Sequence, residues 1–352
     1  MSFDQSSPGQ SFEERPDALT RRFLGLGPYS VRVMPEIHVR DARRDKDVPV
    51  KIYLPDAGET FPAIVFSHGA GDSNDSSPHL MRQWASHGYA VLLPTHYFGE
   101  RPLIERSLRR LGKELLRPIT QGPSAWNERT DDIRLVLDML PRLHEQVPGW
   151  AGRVDMGRVG VAGHSFGAYT ALLLAGATLV DKEGAAYRFA DPRPRAFLMI
   201  SGPGRDTKGL NDGSFHDLTR PMMVFAGSHD PPPDWSFDPL WRTEPFAFAP
   251  DGDKFLVYLR GANHMSYIGP VFDIPLFDPA RRGTCARTLR RLARYLASFA
   301  PSLDQVGIFD YTRIASVAFW DAYLKDVPCA KMYLRSGTLE RYSRHTVKLD
   351  NK

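Results

Sequence analysis

Apolar positions along this 352-residue chain follow two rhythms. Near the start they alternate with polar ones. At 29–33 (YSVRV) and 48–54 (VPVKIYL) every second side chain is apolar, the period of a half-buried strand. The charged stretch 41–46 (DARRDK) predicts the turn of an antiparallel hairpin between them. Further along, the apolar runs become continuous: 61–67 (FPAIVFS), 90–94 (AVLLP), 159–162 (VGVA), 196–200 (AFLMI), 221–227 (PMMVFAG) and 254–259 (KFLVYL). Such runs predict strands covered on both faces. Between them, helical spacing predicts helices at 81–87, with Gly88 placed to end it, at 133–143 (Ile133, Val136, Leu137, Leu140), at 168–175, at 288–299 and at 306–324. Strands alternating with helices predict an α/β fold: a mostly parallel central sheet with an antiparallel N-terminal hairpin and helices on both faces. No repeat or low-complexity tract interrupts the pattern. The expected organisation is a flexible arm over 1–27 and a single domain over 28–345.

Chemistry enters at the strand 159–162. It runs into Gly163-His164-Ser165-Phe166-Gly167, and the helix 168–175 follows at once. G-x-S-x-G between a strand and a helix is the pattern of a nucleophile elbow. The sharp turn exposes the serine oxygen at the helix N-terminus, where free amides favour negative charge. The strand 221–227 ends in Ser228-His229-Asp230, which sets Asp230 at a strand's carboxyl end, with Asp234 and Asp238 as competitors. The strand 254–259 is followed by Gly261-Ala262-Asn263-His264, and of the 11 histidines His264 alone follows the strand after the candidate acid. The reading is Ser165 as nucleophile, His264 as base and Asp230 as the acid that orients it. An oxyanion needs two backbone donors: the Phe166 amide is one, and the loop Ser67-His68-Gly69-Ala70-Gly71 supplies the other, assigned to Ala70.

These four segments resemble the dienelactone-hydrolase-like and platelet-activating-factor-acetylhydrolase-like branch of the α/β-hydrolases, over about 50–325. The cutinase-like polyester hydrolases are a related branch. The resemblance implies an α/β-hydrolase fold, matches Ser165, Asp230 and His264 to nucleophile, acid and base, and matches Phe166 and Ala70 to the oxyanion donors. Dienelactone hydrolases use a cysteine nucleophile. The serine here points instead to a general carboxylic-ester hydrolase forming an acyl-enzyme, on a small to medium or lipid-like ester. The alternatives are an amidase or peptidase with the same triad, and a non-catalytic ligand-binding protein on the hydrolase scaffold.

The connection 97–128 is long, and within it 103–116 is a basic amphipathic segment with Ile104, Leu108, Leu111 and Leu115 on one face. It reads as a surface helix or as a lid over the acyl pocket, and it is the candidate for transient contact with a lipid interface. It and the helix at 306–324 are the candidate faces of a homodimer. His68, Gly69, His164, Tyr97 and Trp235 are the expected substrate-binding residues, with His96, Trp84, Trp126, Trp241 and Tyr267 as further wall candidates. A net charge of +4 with interspersed signs argues against nucleic acid as a partner. Cys285 and Cys329 are too few for a disulfide framework and read as free thiols, a single bridge being the alternative. No cofactor or metal is expected. No apolar run is long enough for a membrane span, and 1–28 carries no apolar signal core, so a cytoplasmic protein acting on a small-molecule ester is the expectation.

Overall fold

The computed structural model describes residues 16–70, 72–96, 123–232, 238, 240–269 and 305–352. Its centre is a ten-stranded sheet. The strands are Val31–Val33 (β1), Ile37–Asp41 (β2), Lys46–Pro55 (β3), Phe61–Ser67 (β4), Ala90–Pro94 (β5), Val154–His164 (β6), Ala196–Ile200 (β9), Met222–Gly227 (β10), Lys254–Leu259 (β11) and Val347–Asn351 (β12). A separate hairpin pairs Thr178–Val180 (β7) with Ala186–Arg188 (β8). The order across the large sheet is β1-β3-β5-β4-β6-β9-β10-β11-β12, with β2 beside β3. The six strands from β5 to β11 are parallel, and the flanks are antiparallel. This is the α/β architecture expected, consistent with an α/β-hydrolase fold.

The continuous apolar runs are explained by burial on both faces. In β4, Ala63 and Val65 pack on one face with the helices Pro123–Met139 and Phe166–Ala175. Ile64 and Phe66 pack on the other with Pro16–Leu24, Pro78–Ser86 and Gln305–Tyr323. The same division separates Met222, Val224 and Ala226 of β10 from Met223 and Phe225. Helix Phe166–Ala175 is buried on every side, which is why its sequence has no polar stripe.

Several expectations need correction. The strand that meets β3 across the turn at 41–46 is β2 (Asp41↔Lys46), whereas β1 pairs with the far end of β3 (Val31↔Pro55). The domain extends past 345, because β12 lies antiparallel along β11. Residues 123–128, placed in the lid-like insertion, open the helix Pro123–Met139. Segments 97–122 and 288–299, with Tyr97, Asp234, Trp235 and Cys285, lie outside the described residues. Trp84 and Trp126, expected as wall residues, pack inside the fold. Both are buried on helices, Trp84 donating to Ser316 Oγ at 2.9 Å and Trp126 packing edge-on to Tyr187. Among the described residues no helix is long and apolar enough to cross a membrane.

The largest correction concerns the arm. Residues 1–15 lie outside the described residues, but Pro16–Leu24 is a helix packed on the domain. Phe23 is fully buried, edge-on to Tyr333 with ring centres 5.2 Å apart, and Leu19 is buried beside it. Thr20 Oγ1 hydrogen bonds the Tyr333 hydroxyl at 2.8 Å. Gln83 donates to the carbonyls of Phe23 at 2.9 Å and Gly25 at 2.6 Å, satisfying the end of the helix. Short length and high polarity hid this element, whose buried stripe is only three residues wide. Phe23→Ala is expected to lower the unfolding free energy by about 3–5 kcal/mol, measured by urea denaturation. A change below 1 kcal/mol would show the segment to be a loose arm after all.

Candidate active site

The carboxyl ends of the parallel strands converge. Along the chain β4 is followed by β5 on one side, and the next strand, β6, crosses to the other side of β4. The reversal between β4 and β6 is the topological switch point where open α/β sheets bind ligands. Ser67, the last residue of β4, is in register with Gly163 of β6.

There the chain turns from β6 into the helix through Ser165, whose φ of 55° and ψ of −114° lie where a non-glycine residue is strained. Glycine is required on both sides. A methyl group on Gly163 would overlap the Gly167 carbonyl, and one on Gly167 would overlap the carbonyl oxygen of Ser67. The Ser165 amide donates to the Ile200 carbonyl at 2.9 Å, holding the turn against β9. Ser165 itself is part-exposed at the mouth of the turn.

Three candidates from the sequence are in hydrogen-bond contact. His264 Nε2 lies 2.9 Å from Ser165 Oγ, and His264 Nδ1 lies 3.0 Å from Asp230 Oδ1. Asp230 is buried, and burial by itself would raise its pKa. The Arg242 guanidinium, with His264 and Ser201, holds it below the ordinary carboxylate value, so it stays ionised. An ionised Asp230 only accepts, which sets the proton of His264 on Nδ1 and leaves Nε2 open to the serine hydroxyl. Asp238, a competitor, is exposed and accepts from the Leu240 amide within its own turn.

Two members of this cluster were missed. Ser201, just past the end of β9 with φ 54°, donates from Oγ to Asp230 Oδ2, and its oxygen lies 2.6 Å from His264 Nδ1. The run Ser201-Gly202-Pro203-Gly204 at a strand end was a readable sign of such a turn. Arg242 has no local signature. Its Nε lies 2.8 Å from Asp230 Oδ1 and donates to the Asp230 carbonyl at 3.0 Å, while Nη1 donates to the Ser201 carbonyl at 2.8 Å. One guanidinium therefore neutralises the buried acid and ties together the turns after β9 and β10.

His68 and His164, expected on the substrate wall, are buried and bonded to the protein itself. His68 Nδ1 donates to the Gly69 carbonyl at 2.7 Å, and its Nε2 accepts from the His96 amide at 3.0 Å. His164 Nε2 donates to the His264 carbonyl at 2.8 Å. Burial, reinforced by the nearby His264, lowers the His164 pKa to about 3. Gly69 does reach the site: a methyl group built on it would lie 3.7 Å from Ser165 Cβ. Ala70, next in the chain, is exposed. Trp241 donates to the Arg205 carbonyl at 2.9 Å, and Tyr267 is buried against Phe225.

Behind the loop 67–70 lies a second Ser–His–Asp chain. Ser67 Oγ is 3.0 Å from His96 Nε2, and His96 Nδ1 is 2.8 Å from Asp132 Oδ2. Its side chains are sealed from solvent, so it braces the loop and meets no substrate. Lys46 and Arg44 compensate Asp132 at 2.9 and 2.7 Å. Burial holds the His96 pKa well below its usual value.

No family model matches the chain. In an alignment 155 positions long that covers 36% of this chain, it is 27% identical to platelet-activating factor acetylhydrolase of Cavia porcellus. The match spans 34% of that protein, about a third of its length. This likeness, with the fold, supports a hydrolase.

Gly167→Ala is expected to lower stability by about 3 kcal/mol or more in thermal or urea unfolding, because the Ser67 backbone cannot yield to a methyl group. An unchanged unfolding midpoint would mean that the elbow does not pack this closely. His164 gives a pH prediction. Its folded-state pKa lies below the unfolded value of about 6.5. The unfolded chain therefore takes up a proton, as pH falls, that the folded chain refuses. The contribution is complete above pH ~6.5 and is lost as pH drops towards 3. Between pH 7 and 5 the wild type should lose about 2 kcal/mol more stability than His164→Gln, read from urea midpoints at the two pH values. Equal losses would contradict a buried neutral imidazole.

Proposed function

We propose that the chain is a serine carboxylic-ester hydrolase, with Ser165 as nucleophile, His264 as general base and Asp230 as its orienting acid. The observation that carries this reading is the unbroken line Ser165 Oγ–His264 Nε2, His264 Nδ1–Asp230 Oδ1, at 2.9 and 3.0 Å, on a strained strand-to-helix turn. His264 takes the serine proton as Oγ attacks the acyl carbon. It returns that proton to the leaving alcohol, and water then hydrolyses the acyl-enzyme by the same steps. Asp230, neutralised by Arg242 and steadied by Ser201, stabilises the imidazolium formed in between. The amides of Phe166 and Ala70 are the proposed donors to the oxyanion. The first amides of the helix Phe166–Ala175 have no acceptor within that helix, which supports the Phe166 assignment.

The relative's name describes removal of an acetyl group from platelet-activating factor. It supports an ester with a short acyl group, in the lipid-like class. The test is hydrolysis of a p-nitrophenyl ester series by wild type and by Ser165→Ala, with circular dichroism to show that both are folded. Wild type should turn over esters, with an optimum at short acyl chains. Ser165→Ala should lose about 10⁴-fold or more in kcat. Turnover of amides in preference to esters would move the chain to the amidases. A folded wild type inert towards both would leave a binding protein.

A further inference from the structure

The loop that carries one proposed oxyanion donor is also gripped by a buried arginine. Arg129, on helix Pro123–Met139, donates from Nη1 to the His68 carbonyl at 2.7 Å and from Nη2 to the Gly69 carbonyl at 3.4 Å. The same guanidinium lies over the Phe166 ring, its central carbon 4.4 Å from the ring centre. It thus touches the backbone of the loop running into Ala70 and the side chain of Phe166, the residue that supplies the other proposed amide.

The geometry of the peptide group gives this contact a consequence. The Gly69 carbonyl and the Ala70 N–H belong to one planar trans peptide and point in opposite directions. A carbonyl fixed on Arg129 turns the Ala70 amide away from Arg129. Gly69 packs against Ser165, so this plane lies beside the nucleophile. His68, which also donates to the Gly69 carbonyl, is set in turn by the His96 amide. A lysine could satisfy one carbonyl as a point charge. A planar fork can span two carbonyls while its central carbon sits over a ring.

We propose that Arg129 is a positioning residue, which sets the aim of the Ala70 amide and its spacing from the Phe166 amide. The proposal rests on the esterase reading above. Arg129 touches no substrate, so its loss weakens stabilisation of the tetrahedral oxyanion and leaves substrate binding nearly intact.

Arg129→Lys and Arg129→Met are compared with wild type on p-nitrophenyl acetate, alongside inhibition by a trifluoromethyl ketone, which adds to Ser165 as a tetrahedral oxyanion. Arg129→Lys keeps a charge and a donor for the His68 carbonyl, so it reports even if Arg129→Met does not fold. The expected result is a fall in kcat of about 10- to 100-fold, with KM within about twofold and ketone affinity weakened in parallel with kcat/KM. A variant with lowered Tm but wild-type kcat and ketone affinity would overturn the proposal and leave Arg129 a packing residue. A wild type without ester turnover or ketone inhibition would instead strike the esterase reading itself.

Discussion

The constraint on which the rest depends is the contact between two backbones. Gly167, in the first turn of its helix, lies against the carbonyl of Ser67 at the end of the neighbouring strand, with no room for a side chain between them. This contact brings the helix N-terminus down onto the sheet. It forces Ser165 into a conformation that ordinary residues avoid, and it fixes the loop after β4 relative to the turn after β6. Strain of this kind costs about 1–3 kcal/mol and persists only where packing over-determines it. Here the fully buried helix Phe166–Ala175 and the bond from the Ser165 amide to Ile200 do so.

Around that contact two buried carboxylates each face cations. Asp230 faces Arg242, and Asp132 faces Lys46 and Arg44. An uncompensated buried carboxylate would take up a proton or destabilise the fold by several kcal/mol. With its charge balanced, Asp230 can stay ionised though buried, where its influence on His264 is strong. The buried imidazoles are used differently. His68, His96 and His164 stay neutral and each serves the backbone or a neighbouring side chain, so their value lies in geometry.

Much of this was legible in the sequence where information is local. The apolar runs mark the central strands because each is covered on two faces, and the glycines around Ser165 mark the elbow because only glycine fits there. The order of Ser165, Asp230 and His264 follows from their places after β6, β10 and β11. What escaped was set by distant partners. Strand β12 is short and mixed in polarity because it closes an edge, and the helix Pro16–Leu24 has only a narrow buried stripe. Arg242 and Arg129 look like any surface arginine in sequence. They differ in what the fold brings to them: a buried carboxylate and six backbone carbonyls.

The pairing of β11 with β12 bears on the order of assembly. The strand that leads to His264 joins β10 on one side and a strand from far downstream on the other, Leu259 lying opposite Val347. Such non-local pairing closes late, because a long loop must lose its freedom before any contact rewards it. Until it closes, β11 presents an apolar edge with unpaired amides, open to association with other chains. The strand that leads to His264 therefore owes the cover of its outer edge to a segment far along the chain, and a variant that loosened β12 would lay that edge bare beside the base.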